Sequence, residues 1–320
     1  MLRRTALLLP LAAPALAAAQ PIWRPDRPVR IIVPFPPGGS NDVIARPLAE
    51  KLQPRLGQPV VIENRAGAGG VIGAQAVAQA PADGLTLMLT STSFVASAVV
   101  QRTPYDPQGS FDPVAIVGRA PFIVLVTQNH PARDLAGLIA YARAHPGRID
   151  YGSSGPGSIG HFLTEQLALL TGVQMTHIPY RGMAPAVTDL IAGNIQLLVT
   201  TIASANAAVR EGRVRLLAYL APGAPDSSPP APTIQQALGL EMAGGAIWWG
   251  VFGPRGLPAP VLASWQGAIR EALTDPDIAR IYETEGARPA FTGAEAFRAE
   301  LAADLARFRD VAQRARIRPE

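Results

Sequence analysis

The sequence predicts an α/β fold in two units, and two stretches of alternation carry the prediction. Between Pro28 and Leu89, short apolar runs alternate with segments whose apolar residues recur at helical spacing, and the same rhythm resumes at 134 and continues to Leu220. Strands that alternate with helices argue for a parallel sheet covered on both faces. In the first unit the spacing predicts strands over 29–33, 60–62 and 85–89, with helices over 41–56 and about 70–80. Residues 103–113 are turn-rich, and 114–117 and 122–127 read as extended segments flanking Gly118 and Pro121. In the second unit, helices over 134–145, 158–171, 184–192 and 202–211 alternate with strands over 149–152, 174–178, 195–200 and 214–220. A proline-rich exit, 221–232, leads to a short helix near 233–238, an aromatic strand over 247–252 and helices over 258–273, 276–285 and 293–314. That remainder is too short for a third domain, so it is expected to return and complete the first unit.

The stretch from Val33 to Asp42, reading Val-Pro-Phe-Pro-Pro-Gly-Gly-Ser-Asn-Asp, joins the first strand to the first helix. Its prolines forbid a continuing strand, its two glycines permit positive φ or close backbone approach, and Ser40 or Asn41 is suited to cap the helix. A helix N-terminus presents free N–H groups and roughly half a positive charge, so such a turn can hold a carboxylate or phosphate without a basic side chain. The ordinary role of a strand-to-helix turn is structural, and one such turn alone does not decide between the two. A second glycine-rich turn, Gly67 to Gly70, lacks the dinucleotide fingerprint because Ile72 stands where the third glycine belongs. The third strand runs into Thr90-Ser91-Thr92-Ser93, hydroxyls at a strand's carboxyl end that serve either a ligand or a helix cap. In the second unit, Tyr151 to His161 repeats the chemistry of the opening turn, with Ser153, Ser154, Gly155 and Ser158 ahead of a helix. Two anion-suited turns on two units fit a site between them.

Composition narrows the function. The chain has 320 residues, no cysteine and a formal charge of +4, which falls to +2 without Arg3 and Arg4. Disulfides, thiolate chemistry and cysteine-bound zinc are therefore absent. No basic run with interleaved aromatics is present, so nucleic acid is not an expected partner. Catalytic motifs fail individually: Pro156 stands where a nucleophile elbow needs glycine, and His130, His145, His161 and His177 show no zinc-protease spacing. His161 and Glu165, one helical turn apart, offer an ion pair or a lone metal half-site, and the reading favoured over both is a solvated or capping histidine. Of Trp248 and Trp249, at least one is expected to face the sheet core. No cofactor or metal is expected.

The chain resembles the periplasmic substrate-binding proteins of tripartite tricarboxylate transporters, the Bug family. The resemblance rests on Ile32 to Asp42, on Gly57 to Arg65 with Gly67 to Gly70, on Tyr105-Asp106-Pro107, on Tyr151 to His161, on Pro179-Tyr180-Arg181-Gly182 and on Trp249 to Pro254. It implies a two-lobed type II periplasmic-binding-protein (Venus flytrap) fold, with residues 20–118 and 222–320 forming one lobe and 119–221 the other. It also implies a monomeric binding protein, not an enzyme, that captures a small carboxylate and delivers it to membrane permease subunits. The family's first loop falls on Phe35, Pro37, Gly38, Gly39, Ser40 and Asp42, and its second on Ser153, Ser154, Gly155, Ser158 and His161. Ser91, Ser93 and Phe94 form one neighbouring cleft edge, Thr200 and Thr201 another. Three departures stand out. Pro47 lies inside the first helix, where it removes an internal hydrogen bond and favours a kink; Ala66 replaces a customary proline; and Thr200-Thr201 occupy a place where many relatives carry an acid or amide. The rival readings are an α/β enzyme acting on small organic acids and a periplasmic ligand sensor.

Met1-Leu2-Arg3-Arg4, the apolar segment 6–16 and Ala17-Ala18-Ala19-Gln20 read as a secretory signal with a small-residue cleavage site. The mature chain is expected to begin at Gln20 and to leave the cell on osmotic shock, which N-terminal mass analysis checks. An intact Met1 on the exported species would contradict it.

Overall fold

The computed structural model describes residues 23–317, so the expected signal segment 1–19 lies outside the described residues. The first unit runs β1 (Val29–Val33), α1 (Ser40–Leu56), β2 (Val60–Asn64), α2 (Val71–Ala78), β3 (Thr86–Ser91) and α3 (Ser93–Val100). A long strand, β4 (Phe111–Thr127), leads to α4 (Leu135–Ala144), β5 (Asp150–Ser153), α5 (Ile159–Thr171), β6 (Thr176–Pro179) and α6 (Met183–Ala192). Next come β7 (Leu197–Thr201), α7 (Ile202–Arg210), β8 (Val214–Tyr219) and the short α8 (Ile234–Leu238). The chain closes with β9 (Ala246–Pro254), α9 (Ala259–Ala272), α10 (Pro276–Thr284), β10 (Arg288–Gly293) and α11 (Ala294–Arg314).

The strands order as β2-β1-β3-β9-β4-β7-β5-β6, with β8 and β10 also pairing on β4. The βα repeats give the expected parallel pairs, β1 with β2 and β3, and β5 with β6 and β7. The sheet is nevertheless mixed, because β4 and β9 carry the chain across the molecule and run antiparallel to their neighbours. Up to Pro121, β4 pairs with β9; from Phe122 onward it pairs with β7 and β8. The Phe122 N–H donates to Gly245 O at 2.8 Å and its carbonyl accepts from the Leu220 N–H at 2.8 Å. One residue thus ties the outgoing strand to both ends of the returning connection.

Three local features differ from the sequence reading. α1 begins with Gly39 at its N-cap and no side-chain cap, rather than Ser40 or Asn41. Asp42, at the third helical position, accepts the Gly38 N–H at 2.9 Å and supplies from inside the helix what a cap would supply from outside. α1 also remains one helix across Pro47 and Pro54. Finally, 114–117 and 122–127 belong to a single strand, and α3 and β10 were not foreseen.

The main hydrophobic core runs continuously from one half of the sheet to the other. α11 is its brace, packing on α3, β4 and α5, with the Phe162 and Phe308 rings 5.0 Å apart. Both tryptophans of β9 are buried. Arg119 and Trp248 are register partners on β4 and β9, and α11 presents Glu300 and Asp304 to them. Glu300 takes two bonds from Arg119, at 2.7 and 2.6 Å, while Trp248 Nε1 donates to Asp304 at 2.8 Å and the Arg307 guanidinium lies 2.8 Å from the same carboxylate. Removing one member of a buried charged set leaves its partners unpaired, at about 3–5 kcal/mol. Asp304→Ala is therefore expected to cost roughly 3 kcal/mol, read as a lower urea midpoint. An unchanged midpoint would show that α11 is not braced through this carboxylate.

Candidate functional site

A cavity of about 370 Å³ opens where β4 changes partners, and both halves of the molecule line it. Phe122 and Ile247, at the two strand crossings, form its base. Five helices begin at its wall. Ser40 opens α1, Ser93 opens α3, Ser158 stands just before α5, Met183 opens α6 and Thr201 stands just before α7. Among the described residues, no aspartate, glutamate, lysine, arginine or histidine lines it. The polar side chains of the lining are hydroxyls and the Gln101 amide; Ala96, Val199, Ile159 and Met183 are among its apolar residues.

Of the residues singled out in the sequence, Phe35, Ser40, Ser93, Ser154, Ser158, Thr200 and Thr201 line this cavity. Pro37, Gly38 and Gly39 form an exposed loop beside it and are not in the lining. Asp42 is not in the lining. It receives Arg46 Nε and Nη2 at 2.8 Å each, Asn64 Nδ2 at 2.9 Å and the Gly38 amide. Burial alone would raise its pKa, but these donors outweigh burial and hold the carboxyl below its ordinary value. Asn64 also donates to Phe35 O at 3.1 Å, so the same network shapes the loop that carries Phe35 into the cavity.

Other expected site residues sit behind the wall. Ser91 is buried and bonds Ser93. Phe94 belongs to the core, packed 5.7 Å from Tyr105, 5.4 Å from Phe111 and 5.6 Å from Phe252; the helix turn that brings Ser93 to the cavity turns Phe94 inward. Ser153 and Gly155 support the second loop from beneath, bonded to each other. His161 is buried rather than solvated, and its Nδ1 accepts the Gly157 N–H at 3.1 Å, a capping contact. Glu165 takes the Tyr151 hydroxyl at 2.5 Å instead of pairing with His161.

The second loop is shaped by absent side chains. Gly157 adopts φ +69°, and a Cβ there would sit 2.2 Å from a Val100 methyl on α3. Gly160 lets α5 start against β7, where a Cβ would lie 2.7 Å from Val199 O. Ser158 Oγ is buried at the mouth of α5 with no hydrogen-bond partner, a donor left for something in the cavity. Ser97, Gln101, Met183 and Ser204 also line the cavity and were missed. Met183 directly follows the Pro179–Gly182 motif, a signal that could have found it; Ser97 and Gln101 depend on α3.

Residues 44–315 match the model of the tripartite tricarboxylate transporter family receptor. BugT of Bordetella pertussis is 36% identical over 304 residues, which covers 94% of this chain and 92% of BugT. Among solved structures, Rpa4515 of R. palustris with adipate superposes with a TM-score of 0.78 at 35% identity, covering 92% of this chain and 99% of that one. MatC from Rhodopseudomonas palustris with bound malate gives a TM-score of 0.73 at 30% identity, covering 90% of this chain and 99% of MatC. With the family match spanning most of its length, this chain belongs to the tripartite tricarboxylate transporter receptors, the family that includes the Bug proteins.

Proposed function

We propose that the protein is a periplasmic receptor that captures a small organic anion, bearing one or two carboxylates, and passes it unchanged to membrane permease subunits. The observation that carries this reading is the convergence of five helix N-termini on a cavity without an ionised side chain. Each N-terminus supplies free N–H groups and about half a unit of positive charge. Charge-assisted hydrogen bonds contribute about 1.5–3 kcal/mol each, and a micromolar complex needs only about 8 kcal/mol, so a few bonds from each side suffice. An amino acid's ammonium would find no carboxylate in the lining, since Asp42 is engaged by Arg46 and Asn64. The adipate and malate of the two R. palustris structures support a carboxylate here.

The reading assigns residues 20–118 and 222–320 to one lobe and 119–221 to the other, supported by the change of partners along β4. Among the described residues, no helix is long and apolar enough to cross a membrane. Among the described residues, the exposed large apolar side chains are Val61, Ile72 and Leu170, which supports a monomer.

A thermal-shift and calorimetric panel of adipate, malate, citrate, glutamate and glucose tests the ligand class. Carboxylates are expected to stabilise the protein and glucose to leave it unchanged. Ser158→Ala and Thr200→Ala should each weaken the bound carboxylate about tenfold, close to 1.4 kcal/mol. Glucose binding while every carboxylate fails would overturn the reading.

Small-angle scattering tests the lobes: saturation with the carboxylate selected by the panel should reduce the radius of gyration as the lobes close. An unchanged radius with ligand bound would remove the clamp.

A further inference from the structure

Beneath the second loop lies a buried cluster that the binding reading leaves unused. The His161 and His177 rings stack face to face, with centroids 3.8 Å apart and planes 15° from parallel. Tyr151 lies beside the pair, its ring 5.0 Å from that of His177 and 6.2 Å from that of His161, and its hydroxyl donates to Glu165. Both imidazoles bond directly to the loop. His161 Nδ1 accepts the Gly157 N–H, and His177 Nε2 lies 2.7 Å from Ser153 Oγ.

The hydrogen-bond inventory determines where the protons sit. An amide N–H only donates, so His161 Nδ1 carries a lone pair and its proton is on Nε2. Ser153 has a single hydroxyl proton, and its Oγ lies 2.9 Å from Gly155 O, an atom that only accepts. Given to Gly155 O, that proton leaves Oγ free to accept from both the Gly155 N–H at 3.2 Å and His177 Nε2–H. Given to His177 instead, it would leave two bare oxygens facing each other at hydrogen-bond distance. His161 is therefore the neutral Nε2–H tautomer and His177 carries a proton on Nε2, with burial keeping that second ring neutral as well.

We propose that His161 and His177 are the positioning residues of the second binding loop: a neutral stacked pair that holds Ser153, Gly155 and Gly157 in the shape that lines the cavity. Protonating His161 would set an N–H against the Gly157 N–H, and charging both rings would stack two cations. The groups facing the pair from the packed elements are Tyr151 on β5 and Glu165 on α5, and these two are committed to each other. Burial accordingly pushes His161 down to about 3, with the neighbouring His177 adding to the effect, and burial pushes His177 down to about 4. A free histidine titrates near 6.5, so the closed loop is at full strength above that value. Below it the open loop binds protons that the closed loop refuses, and stability is lost as pH falls.

The inference rests on the reading of this loop as half of the anion site, but its test needs no ligand. Failure of the binding reading shows in the carboxylate panel, and failure of this one in the loop itself. Amide exchange at Gly155 and Gly157 is measured between pH 7 and pH 5 and corrected for intrinsic rate. Opening should become more frequent by about 25-fold for each ring that titrates on release, while lobe-core amides such as Val117 change far less. His161→Asn with His177→Gln keeps an acceptor at the Nδ1 position and a donor at the Nε2 position but cannot titrate, and should flatten the profile. His177→Phe keeps the stack but removes the donor, and should raise exchange at both glycines more than tenfold at pH 7. Imidazole 15N shifts of the wild type should report Nε2–H on both rings. An Nδ1–H tautomer at His177, a flat wild-type profile, or an unaltered slope in the double variant would overturn the proposal, whether or not His177→Phe folds.

Discussion

The backbone of Phe122 is the constraint on which the architecture turns. Its N–H and C=O are both spent on the returning chain, at Gly245 and Leu220, while the strand that contains it belongs to both halves of the sheet. The three segments can meet this closely only because residue 245 lacks a side chain: a Cβ there would lie 2.2 Å from Leu220 O. Backbone groups therefore set how one half sits against the other, and the gap they leave is the cavity, with the Phe122 side chain in its wall. This is where ligand sites of open α/β sheets fall, at strand ends where the topology changes direction.

Recognition without ionised side chains follows from the same geometry. Strands that end at a common line deliver their following helices to that line with N–H groups foremost, so positive potential accumulates without a lysine or arginine. Burying a ligand against a fixed cation would add desolvation and a strong pair to be broken on release. Neutral donors avoid both, which suits a receptor that must give its ligand up. The acid of the first loop, Asp42, is paired with Arg46 and bonded by Asn64, and Asn64 also holds Phe35 O in place.

Much of this was legible in residue patterns. The βα repeats, the two turns and the return of the chain to the first unit follow from apolar spacing and from glycine, proline and hydroxyl placement. The elements that escaped have physical reasons. β4 carries Pro113, Gly118 and Pro121, which interrupt a strand pattern, yet its register shifts beside Pro113 and Gly118 absorb two of them and Pro121 falls at the change of partners. α3, Ser-Phe-Val-Ala-Ser-Ala-Val-Val, is rich in β-branched residues and weak in propensity, and tertiary packing on α11 and α5 overrides that preference. β10 is short, half-buried and irregular against β4, so it shows no alternation. At the site, helix geometry separated neighbours that a motif treats as one block: Ser93 faces the cavity while Phe94 faces the core.

The missed helix also brings the two loops to one cavity. α3 starts at the cavity with Ser93, lines it with Ala96 and Ser97, and ends against Gly157 through Val100. The second loop can approach because residue 157 has no Cβ, and it keeps that approach because His161 holds the Gly157 N–H from behind. Each loop is thus formed by its own half of the molecule, by Asp42 and Asn64 in one and by the histidine pair in the other. They share a wall only where the halves touch. A ligand that draws hydrogen bonds from both sides therefore adds to a contact the protein already makes, and its binding energy bears on the distance between the halves rather than on the folding of either.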